Sequence, residues 1–172
     1  MDIKENQEGT HNITETKNAG ATEMPAMSAT VLGLSIGDDR YLVHMKEISE
    51  VIQVPEIVPV PLTHSWFLGI INVHGNLYGI TDLGAYLGAE PEPFGLKSRI
   101  LVVSSNYKIN SGFIVRNLLG IRNLSEFELN QTSDAQLPNG VSHVYSDKEG
   151  RQWYELDLRI FIREKRFLEI AC

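Results

Sequence analysis

The chain has 172 residues, enough for one ordinary domain, and its 42% hydrophobic content can build a core. A formal charge of −7 argues against nucleic-acid binding, which calls for a basic stripe, and no apolar run reaches the ~18 residues of a membrane span. The start lacks a basic segment followed by an apolar one, so no secretory signal is expected, and a single cysteine excludes an internal disulfide framework.

Residues 1–28 are polar, with scattered Asn, Thr, Glu and Gly and few large apolar side chains. They cannot bury enough surface to offset the entropy of ordering, so a disordered tail is expected there, with the folded domain at 29–172. Val31–Ile36 reads as a strand, Gly37-Asp38-Asp39 as a turn and Arg40–Met45 as a returning strand. Lys46–Glu50 is long enough for a single helical turn. Val51–Val54 and Ile57–Val60 are β-branched runs interrupted by Pro55, with Pro59 and Pro61 marking edge or irregular structure.

Gly69–Leu83 is the most informative stretch. Its apolar runs, Leu68–Val73 and Leu77–Thr81, flank Gly75-Asn76, which predicts a hairpin closed by a type II′ turn with Gly75 at the φ > 0 position. The runs are nearly continuous rather than alternating, so the hairpin is expected to be covered on both faces for part of its length. Asp82 is placed to cap a short helix at Leu83–Leu87.

A Gly- and Pro-containing connection over 88–97 precedes strands at Arg99–Ser104, Gly112–Arg116 and Leu118–Arg122. A strand fragment is expected near Phe127–Leu129, then a hairpin of Val141–Tyr145 and Arg151–Leu158, and an amphipathic helix over Leu156–Ile170. Nearly a dozen short strands with closely spaced turns predict an all-β protein with minor α content, a barrel or a sandwich. The five histidines have no ligand-like spacing, and no nucleophile elbow, phosphate-cradling loop or dinucleotide fingerprint occurs. No catalytic residue, metal or cofactor is therefore assigned.

The stretch Gly69-Ile-Ile-Asn-Val-His-Gly-Asn-Leu-Tyr-Gly-Ile-Thr-Asp-Leu83 resembles the G-V-x-N-L-R-G-x-x-x-P-V-x-D-L motif of CheW-type coupling domains. The opening Leu32-x-Leu-x-Ile-Gly-Asp-Asp-x-Tyr41, the segment Ile48-x-Glu-Val51 and Gly112-Phe-Ile-Val-Arg-Asn-Leu-Leu119 resemble three further pieces of that family in order. Departures are His74 for the usual Arg, Gly79 for the usual Pro, Arg116 for an Asp, and His44 for an Asp near the end of the first hairpin. With the Trp66-Phe67-Leu68-Gly69 entry and the polar start, these make the chain more similar to the PilI-type branch of twitching motility than to flagellar CheW.

The resemblance implies two packed SH3-like five-stranded β barrels with a C-terminal helix, the first at about 31–87 with terminal segments and the second at about 99–154. It implies a non-catalytic adaptor without cofactor, cytoplasmic at membrane-associated chemosensory arrays. Its partners would be the regulatory domain of a CheA-type histidine kinase and the cytoplasmic tip of a methyl-accepting chemoreceptor, in a pathway controlling type IV pili. Met45, Ile48, Glu50 and His74 take the positions of a receptor groove, with His74 close enough to pair with Glu50. Leu68 and Gly69 fall where the family touches kinase or receptor. The competing class is a small-ligand or enzymatic barrel, with Trp66, Phe67, Tyr78, Trp153 and Tyr154 lining a pocket. Because the first 28 residues cannot contribute a core, a chain starting at Ala29 is expected to melt cooperatively within a few degrees of the full chain. Loss of the cooperative transition would show that the tail packs.

Overall fold

The computed structural model describes residues 29–131 and 136–172; the tail expected at 1–28 lies outside the described residues. Strands β1 (Thr30–Ile36) and β2 (Asp39–His44) form the expected first hairpin, followed by one 3-10 turn at Met45–Glu47 and β3 (Ile48–Gln53). The helical turn expected at Lys46–Glu50 thus ends early, because Ile48 and Glu50 are already paired with Val103 and Val102. Next come β4 (Phe67–Val73), β5 (Asn76–Asp82), α1 (Leu83–Tyr86), β6 (Arg99–Val103) and β7 (Ser111–Val115). Strands β8 (Asn117–Asn123), β9 (Glu128–Leu129), β10 (Val141–Ser146) and β11 (Gln152–Leu156) complete the β structure, and α2 (Leu158–Arg163) and α3 (Lys165–Leu168) follow.

Two sheets result. The first runs β8-β1-β2-β11-β10-β9 and the second β3-β6-β7-β5-β4. All-β class with minor helix is what the apolar runs require, and the first sheet draws its strands from both ends of the folded segment. β1 and β2 pair with β8 and, in parallel, with β11, while β6 and β7 join the second sheet through β3 and β5. Among the described residues the first sheet has six strands and the second five. The chain therefore passes to the second sheet after β2 and returns to the first after β7, and the first sheet is complete only when β8–β11 arrive.

Alternation along the strands explains why the apolar runs are nearly continuous. Leu101 and Val103 of β6 face a core shared by both sheets and the helices, while Ile100 and Val102 face a second core with Ile71, Val73, Ile80 and Ile114. In the first sheet Leu32 and Val43 face the shared core, and Val31 and Leu42 pack with Phe127 and Trp153. Both faces of these strands are buried, as period-2 geometry demands when each side has a partner.

The C-terminal helix is not one element. Leu156 is held in strand pairing with Val43, Asp157 caps α2 by accepting from the Arg159 N–H, and Glu164 is extended (φ −68°, ψ 134°) between α2 and α3. That break lets Phe161 and Phe167 both enter the shared core, where they meet Tyr86, Phe113 and, through Phe167, Trp66.

Gly69 shows how sterics dictate a motif residue. Its φ is +134°, and a Cβ there would stand 2.1 Å from the Val58 carbonyl oxygen, because Val58 and Ile70 exchange backbone hydrogen bonds of 2.9 Å each way. Only glycine tolerates this backbone and this approach. Gly69→Ala should cost more than about 3 kcal/mol or prevent folding, read as a drop in the denaturation midpoint. A variant as stable as the parent would refute the clash.

Candidate functional site

The site predicted from sequence centres on the hairpin β4–β5 and on the segment Met45–Glu50. The turn itself differs from expectation. Val73 pairs with Asn76, so the two turn residues are His74 and Gly75, with φ of 52° and 85°. Positive φ at both positions is the type I′ pattern rather than II′, and it matches the twist of the flanking strands. Asn72 makes this possible: its Oδ1 accepts the Gly75 N–H at 3.0 Å, a side chain standing in for a backbone turn bond.

The left-handed conformation at His74 projects its ring toward β3. The Nε2 atom lies 3.0 Å and 3.2 Å from the two carboxylate oxygens of Glu50, so one N–H is shared across the carboxylate. The expected pairing is present. β3 and β4 are opposite edges of the second sheet, so this contact means that the sheet curls until the hairpin tip approaches its far edge. Both side chains are substantially exposed, 76% for His74 and 41% for Glu50.

The remaining candidates fall in three settings. Ile48 is buried in the shared core and Met45 packs against it from the preceding turn, so both carry packing as well as any surface they present. Leu68 is half-buried against the second core, and Gly69 is held by the contact with Val58. Leu68 and Gly69 lie at the opposite end of β4 from His74, roughly 16–20 Å away at the rise of a strand. The structure brings Glu50 and His74 together and keeps Leu68 and Gly69 apart from them.

The aromatic residues of the competing pocket do not converge. Phe67 and Tyr78 line an apolar groove of about 290 Å³ with Ile70, Leu77, Phe167 and Leu168, and no charged residue contributes to its wall. Tyr154 lines a separate depression of about 300 Å³ with Tyr41 and Tyr86, while Trp66 and Trp153 are buried in two different cores. The five aromatic residues are thus divided between two depressions and two cores rather than gathered around one site.

Three buried polar arrangements escaped the sequence reading. Asp82 caps α1 through the Ala85 N–H as expected, and it also holds Arg116 in a bidentate pair at 3.0 Å and 2.9 Å. Arg116 reaches on to the Glu92 carbonyl and lies over the Phe94 ring, pinning the 88–97 connection. Glu155 accepts from Ser142 at 2.8 Å and faces His44 and His143 at 3.3 Å each. Burial alone would raise its carboxyl, but hydrogen bonds from His44, Ser142 and His143 outweigh that and hold it near about 2. The third is Glu47, whose Oε1 accepts the Leu158 N–H at 3.0 Å. Arg116 and His44 were visible in the sequence as departures from the family pattern, but their partners were not.

Comparison with known proteins gives a consistent answer. The family model described as "CheW-like domain" matches residues 30–166. The chain is 31% identical over 166 residues to Protein PilI of Pseudomonas aeruginosa, covering 88% of each chain. It is 26% identical to Chemotaxis protein CheW of Thermotoga maritima, covering 78% of this chain and 87% of that one. In fold it is similar to the crystal structure of scaffolding protein TtCheW from Thermoanaerobacter tengcongensis, with a TM-score of 0.66 and 18% identity over 81% of this chain and 96% of the other. That likeness carries the SH3-like β-barrel fold.

The exposed His74–Glu50 contact should contribute ~0–1 kcal/mol in a double-mutant cycle, with the coupling falling as salt rises. Arg can grip a carboxylate bidentately where His offers one bond, so His74→Arg is expected to keep the fold and to leave the coupling to Glu50 at least as strong. A zero coupling energy at low salt would rule out the pair in solution.

Proposed function

The chain belongs to the CheW-like domain family, and from that membership we propose that it is a non-catalytic adaptor of a chemosensory pathway. It joins the regulatory domain of a CheA-type histidine kinase to the cytoplasmic tip of a methyl-accepting chemoreceptor. The likeness to Protein PilI, together with the motif departures at His74, Gly79 and Arg116, supports a pathway that drives type IV pili and twitching motility. Among the described residues no helix is long and apolar enough to cross a membrane, so residence at a membrane-associated array would come through partners.

The observation that carries the reading is the separation of two surfaces on one rigid hairpin. A bridging adaptor needs two contacts that do not compete. At one end of β4–β5 the His74–Glu50 tip, with Met45 and Ile48 behind it, offers a polar, partly charged contact suited to the receptor. At the other, Leu68 and Gly69 lie beside Phe67 and Ile70, which wall an apolar groove that Phe167 and the more than half exposed Leu168 complete. Apolar surface of that kind suits a protein partner better than a solute.

Purified chain mixed with the cognate kinase and a receptor fragment should raise co-sedimentation and change kinase autophosphorylation. Unchanged sedimentation across micromolar concentrations would overturn the reading. Glu50→Arg should weaken receptor binding by about tenfold, equivalent to ~1.4 kcal/mol, and leave kinase binding unchanged in a pull-down with the kinase domain alone.

A further inference from the structure

Glu47 is a charged residue type in a place where charge is hard to keep. It ends the 3-10 turn Met45–Glu47, between β2 of the first sheet and β3 of the second, and is 3% exposed. Its backbone carbonyl accepts the Ser104 N–H at 2.8 Å, just after β6 of the second sheet. Its side-chain Oε1 accepts the Leu158 N–H at 3.0 Å, at the start of α2 and just past β11 of the first sheet. One residue thus ties both sheets and the helix start to the turn that presents Met45 and Ile48.

Its other oxygen decides its protonation. Oε2 is buried and, among the described residues, has no hydrogen-bond partner. As half of a carboxylate it would be an unsatisfied anionic acceptor beside the carboxylate of Asp157. As the O–H of a neutral acid it becomes a donor, and Asp157 is the acceptor it faces. The other groups around Glu47 are Arg159 on α2, which binds both Asp157 oxygens, His44 at the end of β2 and Tyr107 from the 3-10 turn after β6. Arg159 keeps Asp157 ionised, its carboxyl lying below the ordinary value, so the shared proton belongs to Glu47.

We propose that Glu47 is a proton-dependent clasp: its neutral acid bridges Leu158 and Asp157 to the turn carrying Met45 and Ile48, and its ionisation loosens that turn and weakens binding there. The binding half of this rests on the proposed adaptor function; the clasp itself does not. Burial, then the charge of Asp157, pushes the Glu47 carboxyl up to about 7, into the range where cellular pH varies. A carboxyl raised in the folded state stabilises fully below its unfolded value and loses that contribution as pH rises through the folded one. Wild-type protein should therefore lose stability between about pH 5 and 8. Asp157 and Glu155, both held low, stay ionised across that window.

The direct test is a carbon-13 NMR titration of the Glu47 side-chain carboxyl in the full chain. A midpoint near 7 is expected, and one at the ordinary 4.5 would overturn the clasp. Glu47→Gln supplies a neutral isostere that can still accept from Leu158 and donate to Asp157. Its Tm should match wild type at about pH 5.5 and exceed it by several degrees at about pH 8; parallel Tm curves would also overturn the clasp. His44 is kept in both proteins, so any contribution of its own is common to both curves. For the binding half, the Kd for a recombinant receptor-tip fragment should rise several-fold more from about pH 6 to 8 in wild type than in Glu47→Gln. An equal pH dependence in both proteins overturns the linkage. A fragment that binds neither protein at any pH overturns the receptor reading, and the carboxyl midpoint then decides the clasp alone.

Discussion

The two sheets are held together by a knot of aromatic side chains that neither could assemble from its own strands. Trp66 precedes β4, Tyr86 ends α1, Phe113 sits on β7, and Phe161 and Phe167 come from the two terminal helices. Their ring centroids lie 5.1–6.3 Å apart, mostly edge-on or tilted. Such rings bury large areas and add geometric preference to the apolar gain. The break at Glu164 follows from this packing, since a continuous helix from Leu158 would have to choose between seating Phe161 and seating Phe167. Tyr86 and Asn139 confirm the break chemically, both donating to Glu164 at 2.8 Å and 2.7 Å.

Around that core the polar residues do a different job. They sit where the chain passes from one element to another and satisfy backbone groups that packing leaves exposed to nothing. Asp82 does this at the exit of β5, Asp157 at the exit of β11, and Glu47 between the sheets. Asp82 is paired with Arg116 and Asp157 with Arg159, each carboxylate facing a guanidinium. Glu47 has no cation bonded to it among the described residues, and a proton takes that place. The contrast between three acids in similar positions comes from their partners, not from the residue type.

The hairpin β4–β5 joins these themes to the surface. Its base is fixed by Gly69 against Val58, and its tip by Asn72 and the left-handed pair His74 and Gly75. A rigid element fixed at both ends positions contact residues more reproducibly than a loop would. His74 in place of an Arg keeps the contact with Glu50 but gives up the permanent charge and the bidentate grip.

Much of this was legible in order along the chain. The apolar runs predicted the first hairpin, the central hairpin, the cap at Asp82 and the all-β class, because strand and cap signals are local. The motif resemblance placed Glu50 near His74, although no spacing rule could have done so. What tertiary structure alone decided was partnership. Period-2 alternation says which residues are buried but not which strand lies beside them, so the pairing of β2 with β11 and of β5 with β7 could not be read from the runs. The same gap hid the turn's true centre, one residue earlier than expected, since cross-strand register selects between His74-Gly75 and Gly75-Asn76. It hid Glu47 as well. In the sequence Glu47 is one more acidic residue in a polar turn; only the arrival of Leu158 and Asp157, more than a hundred positions later, buries it and makes its proton matter.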